Sequence, residues 1–129
     1  MPTTNVVTTD LGREKLAKAH LGSQALPAIT QIGFGTGGHD TGTGLPLTPI
    51  GAETVVPGQV VIKNITSYSF PIATTAEIIG VLDFAEGNGV SISAFGLYDS
   101  AGDLVALKYT TPKPKASDTR LEITWDEQF

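Results

Sequence analysis

No cysteine occurs among the 129 residues of this chain. Its absence excludes disulfide frameworks, thiolate nucleophiles and cysteine-based zinc sites, and it fits synthesis in a reducing cytoplasm. Basic charge is scarce, with eight Lys and Arg against thirteen Asp and Glu and a net charge of −5. Nothing clusters into the positive surface that counterion release on nucleic acid requires, and an acidic surface disfavours anionic membranes. Long apolar runs are missing too, the longest holding about five residues. The polar opening from Met1 to Thr9 lacks the apolar region of a signal peptide. Neither nucleic acid nor membrane is an expected partner.

Glycine and proline are what the chain has in quantity, fifteen and eight residues. They favour strands joined by turns over long helices. The length suits one domain, residues 1–129, that buries roughly two thirds of its unfolded surface. Residues 1–8, polar and β-branched, read as an extended arm. Thr9 or Asp10 caps a helix over residues 9–21, stopped by Gly22, with Leu11, Leu16, Ala17 and Ala19 as its apolar side. Residues 28–129 read as a β domain. In it, 28–34 alternates as a strand, and 35–44 is a flexible surface loop too rich in glycine for regular structure. Residues 59–70 read as one long strand closed by Pro71, and 76–84 as another with Ile78, Gly80, Leu82 and Phe84 on one face.

The next strand, 89–98, changes apolar phase: Val90 and Ile92 share one face, Phe95 and Leu97 the opposite one. Such a slip marks a β-bulge or a strand buried on both faces. A turn over 99–103 leads to a strand over 104–109, then to a stiff exposed connector over 110–115 with its two prolines. The final strand places Leu121, Ile123, Trp125 and Phe129 together. The expected fold is mainly β (α+β), an antiparallel sandwich-like domain with a short N-terminal helix and a long glycine-rich loop.

Chemical motifs are few. The stretch from Gly33 to Gly38 matches G-x-G-x-x-G, but the dinucleotide fingerprint needs a helix to open there, and Gly42, Gly44, Pro46 and Pro49 forbid one. His39 and Asp40, at the loop tip, lack a third ligand for a metal. Asp99 and Asp103 lack the remainder of a calcium loop and are explained by turn chemistry. Glu77, Asp83 and Glu86 read as solvated. No catalytic residue, cofactor site or metal site is expected, and the chain is not expected to be an enzyme.

Four stretches resemble, in order, the N-terminal domain of phage tail fibres in the tail-collar fibre family of contractile-tailed phages. Val7-Thr-Thr-Asp-Leu-Gly-Arg-Glu-Lys-Leu16 resembles the opening threonines, glycine and helix. Ala28-Ile-Thr-Gln-Ile-Gly-Phe-Gly-Thr-Gly-Gly38 resembles the family's I-T-x-I-A-x-G-x-G-G strand and loop. Residues 91–106 resemble its I-x-E-x-G-L-Y/F-D-x-x-G-x-L-x-A hairpin, with Ala94 in place of the Glu, and residues 120–125 its last strand.

The resemblance implies a phage tail structural protein, a fibre base or adaptor that attaches tail fibre to the baseplate. Its implied partners are further copies of itself in a homotrimer, a baseplate protein, and a separate fibre chain. The implied location is the baseplate and fibre region of the virion tail. Closure of the chain at Phe129 without a shaft favours an adaptor over a receptor-reading fibre. Expected partner-binding residues are Thr3, Asn5 and Val7 of the arm, docking by strand addition, and Thr36, Gly37, His39 and Asp40 of the loop. Val90, Ile92, Phe95, Leu97, Trp125 and Phe129 are expected in core or subunit contacts. The alternative is a small receptor- or carbohydrate-binding β module, for which Tyr98 and Trp125 are the candidate aromatics.

Overall fold

The structure, a computed structural model, describes residues 6–128. One helix and eight strands follow in the order β1 (Val6–Thr8), α1 (Asp10–His20), β2 (Ile29–Gly35), β3 (Gln59–Asn64), β4 (Ser67–Ile72), β5 (Thr75–Leu82), β6 (Val90–Asp99), β7 (Leu104–Lys115) and β8 (Leu121–Gln128). They build two antiparallel sheets, one in the order β1-β7-β6-β2-β3 and the other in the order β4-β5-β8. The fold is mainly β and sandwich-like, as expected.

The main core lies between the sheets. Ile32, Phe34, Ile92, Phe95 and Leu97 meet Ile78, Leu82, Ile123 and Trp125 there, and Phe34 and Phe95 pack edge to face at 5.7 Å. A second cluster covers the other face of the larger sheet, where Val56 lies on Ala94, Tyr98, Leu104 and Leu107. β6 is therefore buried on both faces, and its register also shifts between Ile92 and Ala94. Both readings of the phase slip hold at once. The irregularity brings Ile92 onto the same face as Phe95 and Leu97, where a regular strand would oppose them.

Residues 59–70 are two strands, not one. β3 ends at Asn64 in the larger sheet, and β4 begins at Ser67 in the smaller. Between them, Ile65 and Thr66 donate backbone bonds to opposite sheets, at Thr30 and Ile79. β4 runs through Pro71, which an edge strand tolerates because its outer N–H has no ladder partner to lose. Phe84 lies beyond β5 and is exposed. Residues 110–115 are no separate connector but the end of β7, paired with Val90–Ile92. There Lys115 is buried, with its ammonium on Asn88 Oδ1 at 2.9 Å.

The glycines of the G-x-G-x-x-G stretch serve packing. Gly33 and Gly35 sit in β2, and no helix follows. A Cβ on Gly33 would come 2.7 Å from Gln59 Oε1, and one on Gly35 would strike the Pro57 carbonyl. Their bare backbone lets the returning limb of the loop, Val56 to Gln59, lie flat on the sheet.

Candidate interaction site

Thr9 begins the construction of the helix face. It is fully buried and caps α1, its Oγ1 accepting from Gly12 N at 3.0 Å while donating to the Leu104 carbonyl at 2.7 Å. One turn on, Gly12 lies against β7, where a Cβ would come 2.5 Å from the Val105 carbonyl oxygen. One turn further, Lys15 puts Nζ 2.5 Å from Asp99 Oδ2 and 2.7 Å from Asp103 Oδ2. The buried residues of α1 are thus Gly12 and Lys15, while Ala17 is exposed. Of the expected apolar side, Leu11, Leu16 and Ala19 are half-buried, and the deepest seats of the helix are a cap, a gap and an ion pair.

Asp99 has two roles. Its Oδ1 accepts from the amides of Ala101 and Asp103, as turn chemistry requires, while Oδ2 takes the Lys15 ammonium. Burial acts to raise its carboxyl, but Lys15 and these amides together hold it below the ordinary range. Burial likewise works against the Lys15 ammonium, and the bonds to Asp103 and Asp99 outweigh it, so its pKa is raised.

The loop between β2 and β3 is tied down along its length. Thr36 and Gly37 donate to the carbonyls of Gly58 and Pro57. Ser93 Oγ, fully buried in β6, accepts from Gly38 N at 2.9 Å and bonds His39 Nδ1 at 2.7 Å. His39 also forms an isolated bridge with Pro46. The expectation of a flexible loop with His39 at its tip is corrected: side-chain and backbone bonds anchor its first half to the sheet. Asp40 turns the chain by accepting from Gly42 N and Thr43 N. Further on, Glu53 accepts from the amides of Ile50 and Gly51 and from the Tyr109 hydroxyl. The Gly51 carbonyl accepts from Asp10 N at the start of α1.

β4 exposes three large apolar side chains in close succession. Tyr68, Phe70 and Ile72 are each more than three-fifths exposed, at 65%, 63% and 61%. Tyr68 stands opposite Ile78 in the ladder, so it faces the side of the sheet that forms the core. Its ring meets that of Phe70 edge to face at 6.0 Å. The inner face of the smaller sheet thus runs on past the cover of the larger one. No charged residue falls between Lys63 and Glu77.

Of the expected partner-binding residues, Thr3 and Asn5 lie outside the described residues, as does Phe129. Val7 pairs with Leu107 and packs half-buried on the second cluster, so the strand addition expected of the arm occurs at Val6–Thr8 within its own chain. Thr36, Gly37 and His39 are half-buried, and Asp40 is exposed. Ile92, Phe95, Leu97 and Trp125 are buried in the main core, with Val90 packed at its margin. Tyr98 is buried as well, its hydroxyl accepting from Val56 N and donating to Gln59 Oε1.

Sequence reasoning missed the Lys15–Asp99 pair, the β4 stripe and Glu127. A signal existed for the last: Glu127 breaks the inward alternation of Leu121, Ile123 and Trp125. Among the described residues no group of three or more His, Asp or Glu is placed to hold a metal, and no helix is long and apolar enough to cross a membrane.

The model of one protein family, the N-terminal part of phage tail-collar fibre proteins, matches residues 1–124. No curated protein and no solved structure matches the chain.

Proposed function

Since the chain belongs to the phage tail-collar fibre protein N-terminal family, we propose that it is the fibre base or adaptor that attaches a tail fibre to the baseplate. Its family makes it a structural protein of the phage tail. In the proposed role it carries no catalysis; it associates with copies of itself in a threefold assembly and presents loops to a baseplate protein and to a fibre chain.

The observation that carries the self-association is the β4 stripe. An edge strand with two exposed aromatics and no charge is a surface that a monomer would normally protect. A second copy carries the same net charge of −5, so copies approach best where charge is absent. Covering Tyr68 and Phe70 completes the inner face that the larger sheet leaves open, while the register shift after Ser69 turns Ile72, opposite Thr75, to the other face. The alternative of a carbohydrate-binding module draws no support from Trp125 and Tyr98, which are 1% and 5% exposed and offer no stacking platform.

Multi-angle light scattering of the purified chain, with images of tail particles labelled on it, tests the reading. A trimer placed at the baseplate is expected. A monomer at all concentrations, absent from purified particles, overturns it.

A further inference from the structure

Between α1 and the ends of β7 and β8 lies a cleft of about 80 Å³, several times the space that one ordered water needs. Leu16, Leu26, Pro27, Ile29, Val105 and Ala106 make its walls apolar. Charge enters at two places. Lys15 and Asp99, an ion pair, line the cleft, and so does Glu127.

The charges do not balance. Lys15 is already shared by Asp99 and Asp103. Glu127 has only neutral partners, accepting from Trp125 Nε1 at 2.8 Å and from Thr8 Oγ1 at a long 3.4 Å. Among the described residues no cation lies within ion-pair distance of it. Within the cleft lining one positive charge, Lys15, stands against two negative ones, Asp99 and Glu127, and Asp103 outside the lining draws on the same ammonium, so none of that charge is left for Glu127. Burial raises the Glu127 carboxyl, against the bonds from Trp125 and Thr8, as expected for an acid lacking a counter-charge.

We propose that the cleft receives the side chain of an arginine from a partner protein, its stem against Leu16, Leu26 and Pro27 and its guanidinium on Glu127. Apolar walls with an anionic end suit a side chain whose stem is apolar and whose tip is charged. Arginine suits a partly buried carboxylate better than lysine, because its planar head is more weakly hydrated and donates in a fork. Oε1 of Glu127, held only by the long Thr8 bond, is the oxygen open to that fork. The inference is independent of self-association, since a monomer would hold the same cleft.

The probe is N-acetylarginine amide, titrated into the full chain and followed by amide and indole NMR, with N-acetylcitrulline amide as an uncharged match in length. Arginine amide should shift the Trp125 indole N–H and the Ala106 amide saturably, and citrulline amide should bind about tenfold or more weakly. In Glu127→Gln, which keeps an acceptor for the indole, arginine binding should fall to the citrulline level. Equal binding of the two probes to the native chain, no saturable shift with either, or full arginine binding by a folded Glu127→Gln would each overturn the proposal. The comparison of probes on the native chain stands even if the variant fails to fold.

Discussion

Lys15, in the second turn of α1, puts its ammonium 2.5 Å from the Asp99 carboxylate at the end of β6, and both side chains are buried. This bond joins the helix to the hairpin across 84 residues of chain. Removing one partner of a buried pair strands the other charge, which costs about 3–5 kcal/mol. Lys15→Met should therefore lower the unfolding free energy by about 3 kcal/mol. The double variant Lys15→Met/Asp99→Asn should recover part of the loss in urea unfolding. Equal stability of the single variant and the native chain would show that the pair is dispensable.

Gly12→Ala sets two effects against each other. Helix propensity favours alanine by about 1 kcal/mol. The added Cβ, however, would meet the backbone oxygen of Val105 at 2.5 Å, with Thr8 Cγ2 at 3.2 Å on another side. A strand carbonyl in the middle of a sheet yields little, so the helix must lift and draw Lys15 from its seat. The clash should win, with a net loss of about 1–3 kcal/mol by thermal or urea unfolding. A stabilised variant would mean that the helix is free to shift.

The fold class and the core were legible because alternation survives in β2, β5 and β8, where Phe34, Leu82 and Trp125 each fall on an inward position, and because the broken alternation of β6 itself marks a bulged strand buried on both faces. The split of residues 59–70 was not, since Val60, Val61 and Ile62 read on into Tyr68 and Phe70 with no glycine or proline between them. Only the tertiary pairing of Ile65 and Thr66 with opposite sheets reveals the crossing. The helix was legible in its ends, Thr9 and Gly22, but not in its buried face. A glycine and a lysine carry no hydrophobic signal; they are buried because Val105 comes close and Asp99 supplies a charge. As for interaction surfaces, Tyr68 and Phe70 look like core residues in any window of sequence, and only the extent of the covering sheet exposes them.

Ser93 anchors the loop, since its hydroxyl serves both Gly38 N and His39 Nδ1 from a fully buried position. Ser93→Ala leaves the buried Gly38 amide without that partner, at about 1–3 kcal/mol. Hydrogen exchange should accelerate at Gly38 and at Leu47, whose amide donates to the Gly38 carbonyl, while amides of β8 stay protected. Uniform acceleration across the domain would instead assign Ser93 to global stability.

Acid should act in two opposed steps. The raised carboxyl of Glu127 means that the folded state binds its proton more readily, so stability should rise as pH falls through that raised value towards the ordinary 4.5. The Asp99 carboxyl is depressed, so its contribution is present above the ordinary 3.8 and is lost as pH falls through the lower folded value. Urea midpoints should therefore pass through a shallow maximum on the acid side of neutrality before collapsing. In Glu127→Gln the rise should vanish while the collapse stays, and parallel profiles for the two proteins would contradict this assignment.

Phe70→Glu addresses assembly with little effect on the fold. Phe70 is 63% exposed on an edge strand, and substitutions at such positions usually move stability by no more than about 0.5 kcal/mol. Within an assembly that covers β4 the same change buries a charge against Tyr68, or against its copy, with no cation at hand between Lys63 and Glu77. A buried unpaired carboxylate costs several kcal/mol at each contact, enough to dissociate a modest interface. Light scattering should then report a monomer with native-like circular dichroism and an unfolding temperature close to the native chain's at the same dilution. Phe70→Leu, apolar and smaller, should keep the assembly. If Phe70→Glu retains the native mass, β4 is not the contact between copies, and the open inner face must be covered by something other than another copy.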